Sequence, residues 1–322
     1  MRLVSWSRTD TGKKRDHNED SFLVDDALQL YAVADGMGGH QGGGHASRLA
    51  LEVLRREVGK AEGDFDEAAA GIVGSRKRVG RDTEPVAALG DASTLDGIGE
   101  DDTLDGSDDR ARELQESLKA PEVVARADTL AAGDEETQPN PMKLPPAEIV
   151  MAKAAQRAGQ EIYDAAQGHA DLQGMGTTLS AIIYHAGHMY FAHAGDSRLY
   201  LFRDGKLRQL TEDHSWIWEQ IKSGAMTEAE AKASKFRHII TRSVGFEREL
   251  QVDTGGISVE AGDCFLLCSD GMSNYVDNEE LERILDTTWY RRAPQLLIDI
   301  ANDRGGDDNI TVVMVYAAND VS

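Results

Sequence analysis

Cysteine is nearly absent from this chain. The two that occur, Cys264 and Cys268, share one apolar run. As a strand, that run sets both thiols on one face roughly 13 Å apart, at about 3.3 Å per residue. They are too far apart for a disulfide, so nothing points to an oxidising compartment or a thiolate zinc site. Long hydrophobic runs are missing too. No segment approaches the roughly 20 apolar residues of a membrane helix, and the opening residues lead into polar sequence without an apolar signal region. The expectation is a cytoplasmic protein with no membrane partner. Positive charge is scarce: 34 Lys and Arg stand against 57 Asp and Glu, a formal charge of -23. A field of that sign repels polyanions and argues against nucleic acid as a partner. It suits a protein that gathers divalent cations, although taken alone solvated surface acid explains it better. With 322 residues, 40% hydrophobic and 28% charged, the chain is globular and long enough for a large core.

Apolar periodicity divides the chain. Residues 28–34 read as a buried strand ending at Asp35-Gly36, and a glycine-rich stretch then leads into a helix over 45–58. No Lys-Ser/Thr or dinucleotide spacing accompanies those glycines, so they form neither type of nucleotide loop. From 61 to 146 acidic clusters alternate with Gly, Ser, Thr and Pro, and aromatics vanish after Phe65. Such a stretch cannot offset its ordering entropy and is expected to be an inserted, disordered acidic loop. A helix with proline near its start follows, through Met151, Ala154, Ala155, Ala158 and Ile162. Strands are expected at 179–184, 189–194, 198–202 and 206–210, the last two joined by Asp204-Gly205 as a tight hairpin. Short helices fill 214–244, where Gly224 ends one and Thr227 with Glu230 caps the next. Strands at 264–269 and 310–315 bracket two more helices, one capped near Asn278 and one starting near Pro294. Hairpin-linked strands without regular strand–helix alternation argue for a sheet sandwich with helices outside, an α+β arrangement.

Three carboxylates share one setting. Asp35 and Asp270 each end an apolar strand and precede glycine, and the run Asp307-Asp308-Asn309 directly precedes another strand. Strand ends converging on a cleft would supply oxygen ligands suited to Mg²⁺ or Mn²⁺. Taken singly, each reads better as an ordinary turn residue.

Six motifs in order change that balance: Arg15-Asp16-His17-Asn18-Glu19-Asp20, Val33-Ala34-Asp35-Gly36-Met37-Gly38-Gly39-His40, Gly174-Met175-Gly176-Thr177-Thr178, Gly195-Asp196-Ser197-Arg198, Cys268-Ser269-Asp270-Gly271 and Asp307-Asp308-Asn309-Ile310-Thr311. Together they resemble the metal-dependent protein phosphatase family, the type 2C serine/threonine phosphatases, in its bacterial form. The resemblance covers the chain outside the insertion, as a single domain over 1–322 interrupted at 61–146. It implies an antiparallel β-sandwich flanked by helices on both sides, a four-layer αββα arrangement. It implies that Asp35 bridges two Mn²⁺ or Mg²⁺ ions, that the Gly36 carbonyl is also a ligand, and that Asp270 and Asp308 complete the first site. Asp196 with Asp270 would hold a third ion, Glu19 and Asp20 would hold waters of the site, and Arg15 would bind phosphate.

The implied chemistry is hydrolysis of phosphoserine and phosphothreonine by direct attack of a metal-bridging water, with no phosphoenzyme. Members outside bacteria often carry histidine directly after the Asp-Gly pair. Here Met37 stands there and His40 follows, the candidate general acid, equally readable as a polar residue of a glycine-rich turn. Trp216 and Trp218 read as packing residues. The implied partners are phosphorylated proteins, among them serine/threonine kinases and their substrates, met by a monomer. Two other readings stay open: a catalytically silent phosphatase-fold module, and a phosphoesterase of small molecules.

Overall fold

The computed structural model describes residues 1–38, 42–61, 64–70, 88–90, 144–227, 230–231, 234–236 and 238–319. His40 and most of the expected acidic insertion lie outside the described residues.

The strands form two antiparallel sheets. One runs β1 (Arg2–Asp10), β12 (Ile310–Ala318), β11 (Cys264–Cys268), β8 (Arg198–Arg203), β9 (Lys206–Gln209) across its width. The other runs β10 (Asp253–Ser258), β7 (His188–Ala194), β6 (Leu179–His185), β3 (Leu30–Met37), β2 (Asp20–Asp25), β4 (Ala88–Gly90), with β5 (Gly176–Thr177) on the end of β3. Helices α1 (Gly42–Ala61), α2 (Phe65–Ala70) and α3 (Pro146–Gly168) are associated with the second sheet. The first sheet is associated with α5 (Asp270–Ser273), α6 (Asn278–Thr287) and α7 (Ala293–Asp303). A further helix, α4 (Trp216–Lys222), lies in the segment between β9 and β10.

Three apolar layers explain why the inner strands look uniformly hydrophobic despite being antiparallel. Along β3, Leu30, Ala32 and Ala34 join the cluster that includes α1 and α3, while Tyr31 and Val33 face the opposite sheet. Along β11, Cys264, Leu266 and Cys268 pack toward α6 and α7, while Phe265 and Leu267 point into the sandwich. Each strand is buried on both faces, so no polar face survives to mark an alternation. Each fully buried Leu or Val contributes about 1.5–3 kcal/mol through removal from water. The two cysteines are free, buried and on one face, as their spacing requires.

The helix expected over 45–58 begins three residues earlier, within the glycines. A side chain at Gly36 would lie 2.1 Å from the carbonyl oxygen of Gly43, so the helix abuts the strand end only because both positions lack one. The Asp204-Gly205 hairpin forms as expected, with both residues at positive φ, 50° and 72°. Thr227 and Glu230 make their reciprocal cap, with the Thr227 amide donating to Glu230 Oε2 at 2.8 Å. Helix α6 is capped by Asp277, whose side chain accepts from the Glu280 amide at 2.9 Å. Two pieces inside the expected insertion pack on the core. Phe65 in α2 is buried against His185, ring centroids 4.4 Å apart, and β4 pairs with Phe22, Leu23 and Val24 of β2.

Candidate metal centre

Strand pairing creates the centre. Asp20 at the start of β2 stands directly opposite Asp35 near the end of β3. The Asp35 amide donates to Thr178 Oγ1 at 2.9 Å, and its carbonyl accepts from the Thr178 amide at 2.9 Å and Thr177 Oγ1 at 2.8 Å. The Asp35 backbone is thereby fixed while its carboxylate is left for the cleft. The Gly36 amide donates to the Glu19 carbonyl at 3.2 Å.

The other sheet brings Asp270 and Asp308. Ser269, ahead of Asp270, donates its hydroxyl to Asp20 Oδ2 at 2.7 Å and accepts the Thr311 amide at 2.9 Å. One serine therefore ties the two sheets together at the site. A side chain on Gly271 would lie 2.0 Å from the Asn309 carbonyl oxygen, which is why glycine follows Asp270. Asn309 is the second tie. It accepts the Glu19 amide at 2.8 Å and donates to the carbonyls of Thr11 at 2.9 Å and His17 at 3.0 Å. The loop bearing Arg15 is anchored in this way, and Arg15 Nη2 meets Asp308 Oδ2 at 2.7 Å.

Electrostatics mark the group as unusual. Burial, reinforced by the charges of Asp20, Asp270, Asp308 and Asp196, holds the Asp35 carboxyl well above the usual range. Burial, partly offset by its hydrogen bonds, pushes Asp20 up to about 7. Burial and then Asp270 raise Asp196 well above its ordinary value. Asp270 is raised by burial and Asp308, with His238 pulling the other way. Burial opposes the charge of Arg15, but Asp308, Asp35 and Glu19 outweigh it and its pKa rises.

These side chains fit divalent cations. Glu19 Oε1, Asp20 Oδ1, Asp196 Oδ1 and Asp270 Oδ1 are buried with no hydrogen-bond partner among the described residues. Leaving such oxygens bare is costly unless a cation compensates them. The donors are all oxygen, as hard cations require. No group of three or more His, Cys, Asp or Glu among the described residues forms a ready cage for an ion.

Asp196 is held from behind. His214 accepts the Gly195 amide on Nδ1 at 3.0 Å, and its own amide donates to the Gly195 carbonyl at 2.8 Å. Its Nε2 faces both Asp253 Oδ2 at 3.1 Å and Arg242 Nη1 at 2.9 Å. Arg242, which pairs with Asp253, lies at the base of the segment 216–243. In that segment Trp216 packs edge-on against Phe236, ring centroids 5.3 Å apart, the packing role expected of it. Arg198 is bound to Asp213 through Nε and Nη2, at 2.9 and 2.7 Å.

Asp20, Asp35, Asp196, Asp270 and Asp308 thus share one electrostatic neighbourhood with Arg15 and Glu19, whereas His40 is outside the described residues. Sequence reasoning missed the two ties, Ser269 and Asn309, although both adjoin aspartates it singled out. It also missed His214 and His238, which had no signal beyond being histidine.

Comparison with known proteins identifies the family. Residues 11–297 match the model of the family described as protein phosphatase 2C. The serine/threonine phosphatase stp of Listeria monocytogenes is 31% identical over 313 residues, covering 96% of this chain and 93% of the relative. The Mycobacterium tuberculosis serine/threonine phosphatase PstP/Ppp superposes with a TM-score of 0.69 at 26% identity, covering 99% of this chain and 100% of that one. The catalytic domain of PstP in complex with two manganese ions superposes with a TM-score of 0.65 at 27% identity, covering 98% and 99%. With the family's model spanning most of its length and a relative 31% identical along nearly all of it, the chain belongs to the protein phosphatase 2C family.

Proposed function

We propose that this chain hydrolyses phosphoserine and phosphothreonine in proteins, using Mn²⁺ or Mg²⁺ held by Asp35, the Gly36 carbonyl, Asp270 and Asp308, with a third ion held by Asp196 and Asp270. The observation that carries this reading is the set of buried, unpartnered oxygens on Glu19, Asp20, Asp196 and Asp270. When bound, the ions supply Lewis acidity that lowers the pKa of a water and offsets the charge of a phosphate dianion. Arg15 spends one nitrogen on Asp308, which orients its planar fork and leaves other N–H groups to grip phosphate oxygens. Asp20 is steered by Ser269, and the Glu19 backbone is anchored by Asn309. Both present an acceptor oxygen that can orient water for attack. His40 is the proposed proton donor to the leaving alkoxide.

Substrates on this reading are phosphorylated proteins, including serine/threonine kinases and their targets, met by a monomer in the cytoplasm. No helix among the described residues is long and apolar enough to cross a membrane. The test compares phosphothreonine, phosphoserine and phosphotyrosine peptides with small phosphate monoesters. Faster hydrolysis of the first two supports the proposal. Faster hydrolysis of small esters makes the protein a small-molecule phosphoesterase, and no hydrolysis of any makes it a binding module.

A further inference from the structure

We propose that the free edge of β1 docks an extended acidic segment of the phosphoprotein substrate by strand addition. The proposal rests on the phosphatase reading and extends it to substrate choice. Strand β1 is nine residues long, contains no proline or glycine, and among the described residues pairs only with β12. A groove of about 670 Å³ runs beside it, touching Ser5, Trp6, Ser7 and Arg8 in succession. Side chains on a strand alternate between faces, so four consecutive residues share a groove only if it follows the strand's edge. That edge carries outward N–H and C=O groups, which an added strand can satisfy.

The groove's other residues suggest what it binds. Trp289 is 66% exposed, with its ring stacked on Tyr290, centroids 6.1 Å apart. Large aromatics left in water commonly serve as contact anchors. Arg8 and Arg291 both line the groove and are exposed. Arg8 donates only to the neighbouring Ser7 carbonyl at 2.9 Å, and neither arginine has a carboxylate within ion-pair distance among the described residues. In a chain of charge -23, where Arg15, Arg55, Arg198, Arg203 and Arg304 are all paired with acids, two uncompensated arginines beside a tryptophan are complementary to acid. The nearby carboxylate of Asp26 is already engaged by the hydroxyls of Ser5 and Tyr31, each at 3.0 Å.

Position links the edge to catalysis. Strand β1 ends at Asp10, and the loop that follows carries Arg15 to Asp308. A strand lying beside Ser5 to Arg8 runs along β1 toward that loop, so its acidic residues would lie several positions from the phosphorylated one.

The experiment uses the full chain and two phosphothreonine peptides, one short and one extended by a Glu-rich stretch several residues away. We expect the extension to lower KM about tenfold, equivalent to about 1.4 kcal/mol. An Arg8→Glu/Arg291→Glu variant should lose that advantage and gain one for a Lys-rich extension. Trp289→Ala should weaken it, while kcat and hydrolysis of p-nitrophenyl phosphate stay unchanged in both variants. Fluorescence anisotropy of the unphosphorylated Glu-rich peptide reads docking without turnover, so an inactive enzyme that still binds it would refute the phosphatase reading and leave only the docking edge standing. Equal KM for both peptides, or an anisotropy signal unmoved by charge reversal, would overturn the proposal. So would a concentration-dependent dimer that the variants abolish, since a second copy would then occupy the edge.

Discussion

Asp20 and Asp35 face each other across a strand pair, and both are pushed upward by burial first and by neighbouring carboxylates as well. Without cations, that arrangement destabilises the fold. The Asp20 carboxyl titrates near 7 when folded, against 3.8 ordinarily, so between those values the native state holds more protons and stability falls as pH rises. Asp35→Asn should therefore raise the melting point of the chelated protein, by about 1–2 kcal/mol of stability, while lowering metal-dependent turnover at least about a hundredfold. Differential scanning calorimetry with and without Mn²⁺ checks the first part. His193 runs the other way. Burial, then His214, lowers it to about 4 from 6.5. Between those values the unfolded chain binds the proton and the native state does not, so stability is lost as pH falls. The loss reaches about 3 kcal/mol, and urea melts of wild type minus His193→Asn at pH 7.5 and 4.5 should show most of it. At this scale the clustered aspartates were legible because each adjoins a strand in an ordered set of motifs. Ser269 and Asn309 were not, because a serine and an asparagine acquire their roles only when residues 249 and 290 positions away arrive beside them.

At the level of elements, the site depends on close backbone approach. Helix α5 starts at Asp270, and its Gly271 lies so near Asn309 that a methyl group would collide with backbone rather than with a movable side chain. Gly271→Ala should cost about 3 kcal/mol and lower Mn²⁺ affinity, both measurable by thermal melts and calorimetric titration. Doubly buried strands were readable as short apolar runs. Strands β1 and β2 were not singled out, because β1 is half-exposed along most of its length and β2 is bounded by aspartates. Strand β10 was hidden by Gly255-Gly256, which resembles a turn. In the fold those glycines leave room for the rings of Phe191 and Tyr190, which a side chain would approach within 2.6 and 2.8 Å.

Across the whole molecule, the acidic stretch from 61 to 146 read as one insertion on composition alone. Composition says little about Phe65 or about Ala88–Gly90, which are held by long-range packing and strand pairing. The unit carrying the site comprises Met1–Ser93 and Leu144–Ser322. Joining 93 to 144 through a short Gly-Ser linker should leave metal-dependent turnover within about twofold, because loop length changes closure entropy only slowly. Starting the deletion at 61 should instead lower stability, as a melt of each protein would show. On the proposed reading, buried aspartates hold the ions that make this chain a protein phosphatase. Phosphate release from a phosphothreonine peptide by wild type and Asp270→Asn, with Mn²⁺ and with excess chelator, tests it. Release is expected from wild type with Mn²⁺ alone, with a loss of at least about a hundredfold in both the variant and the chelated enzyme. Undiminished release by folded Asp270→Asn, or by wild type in chelator, would contradict it.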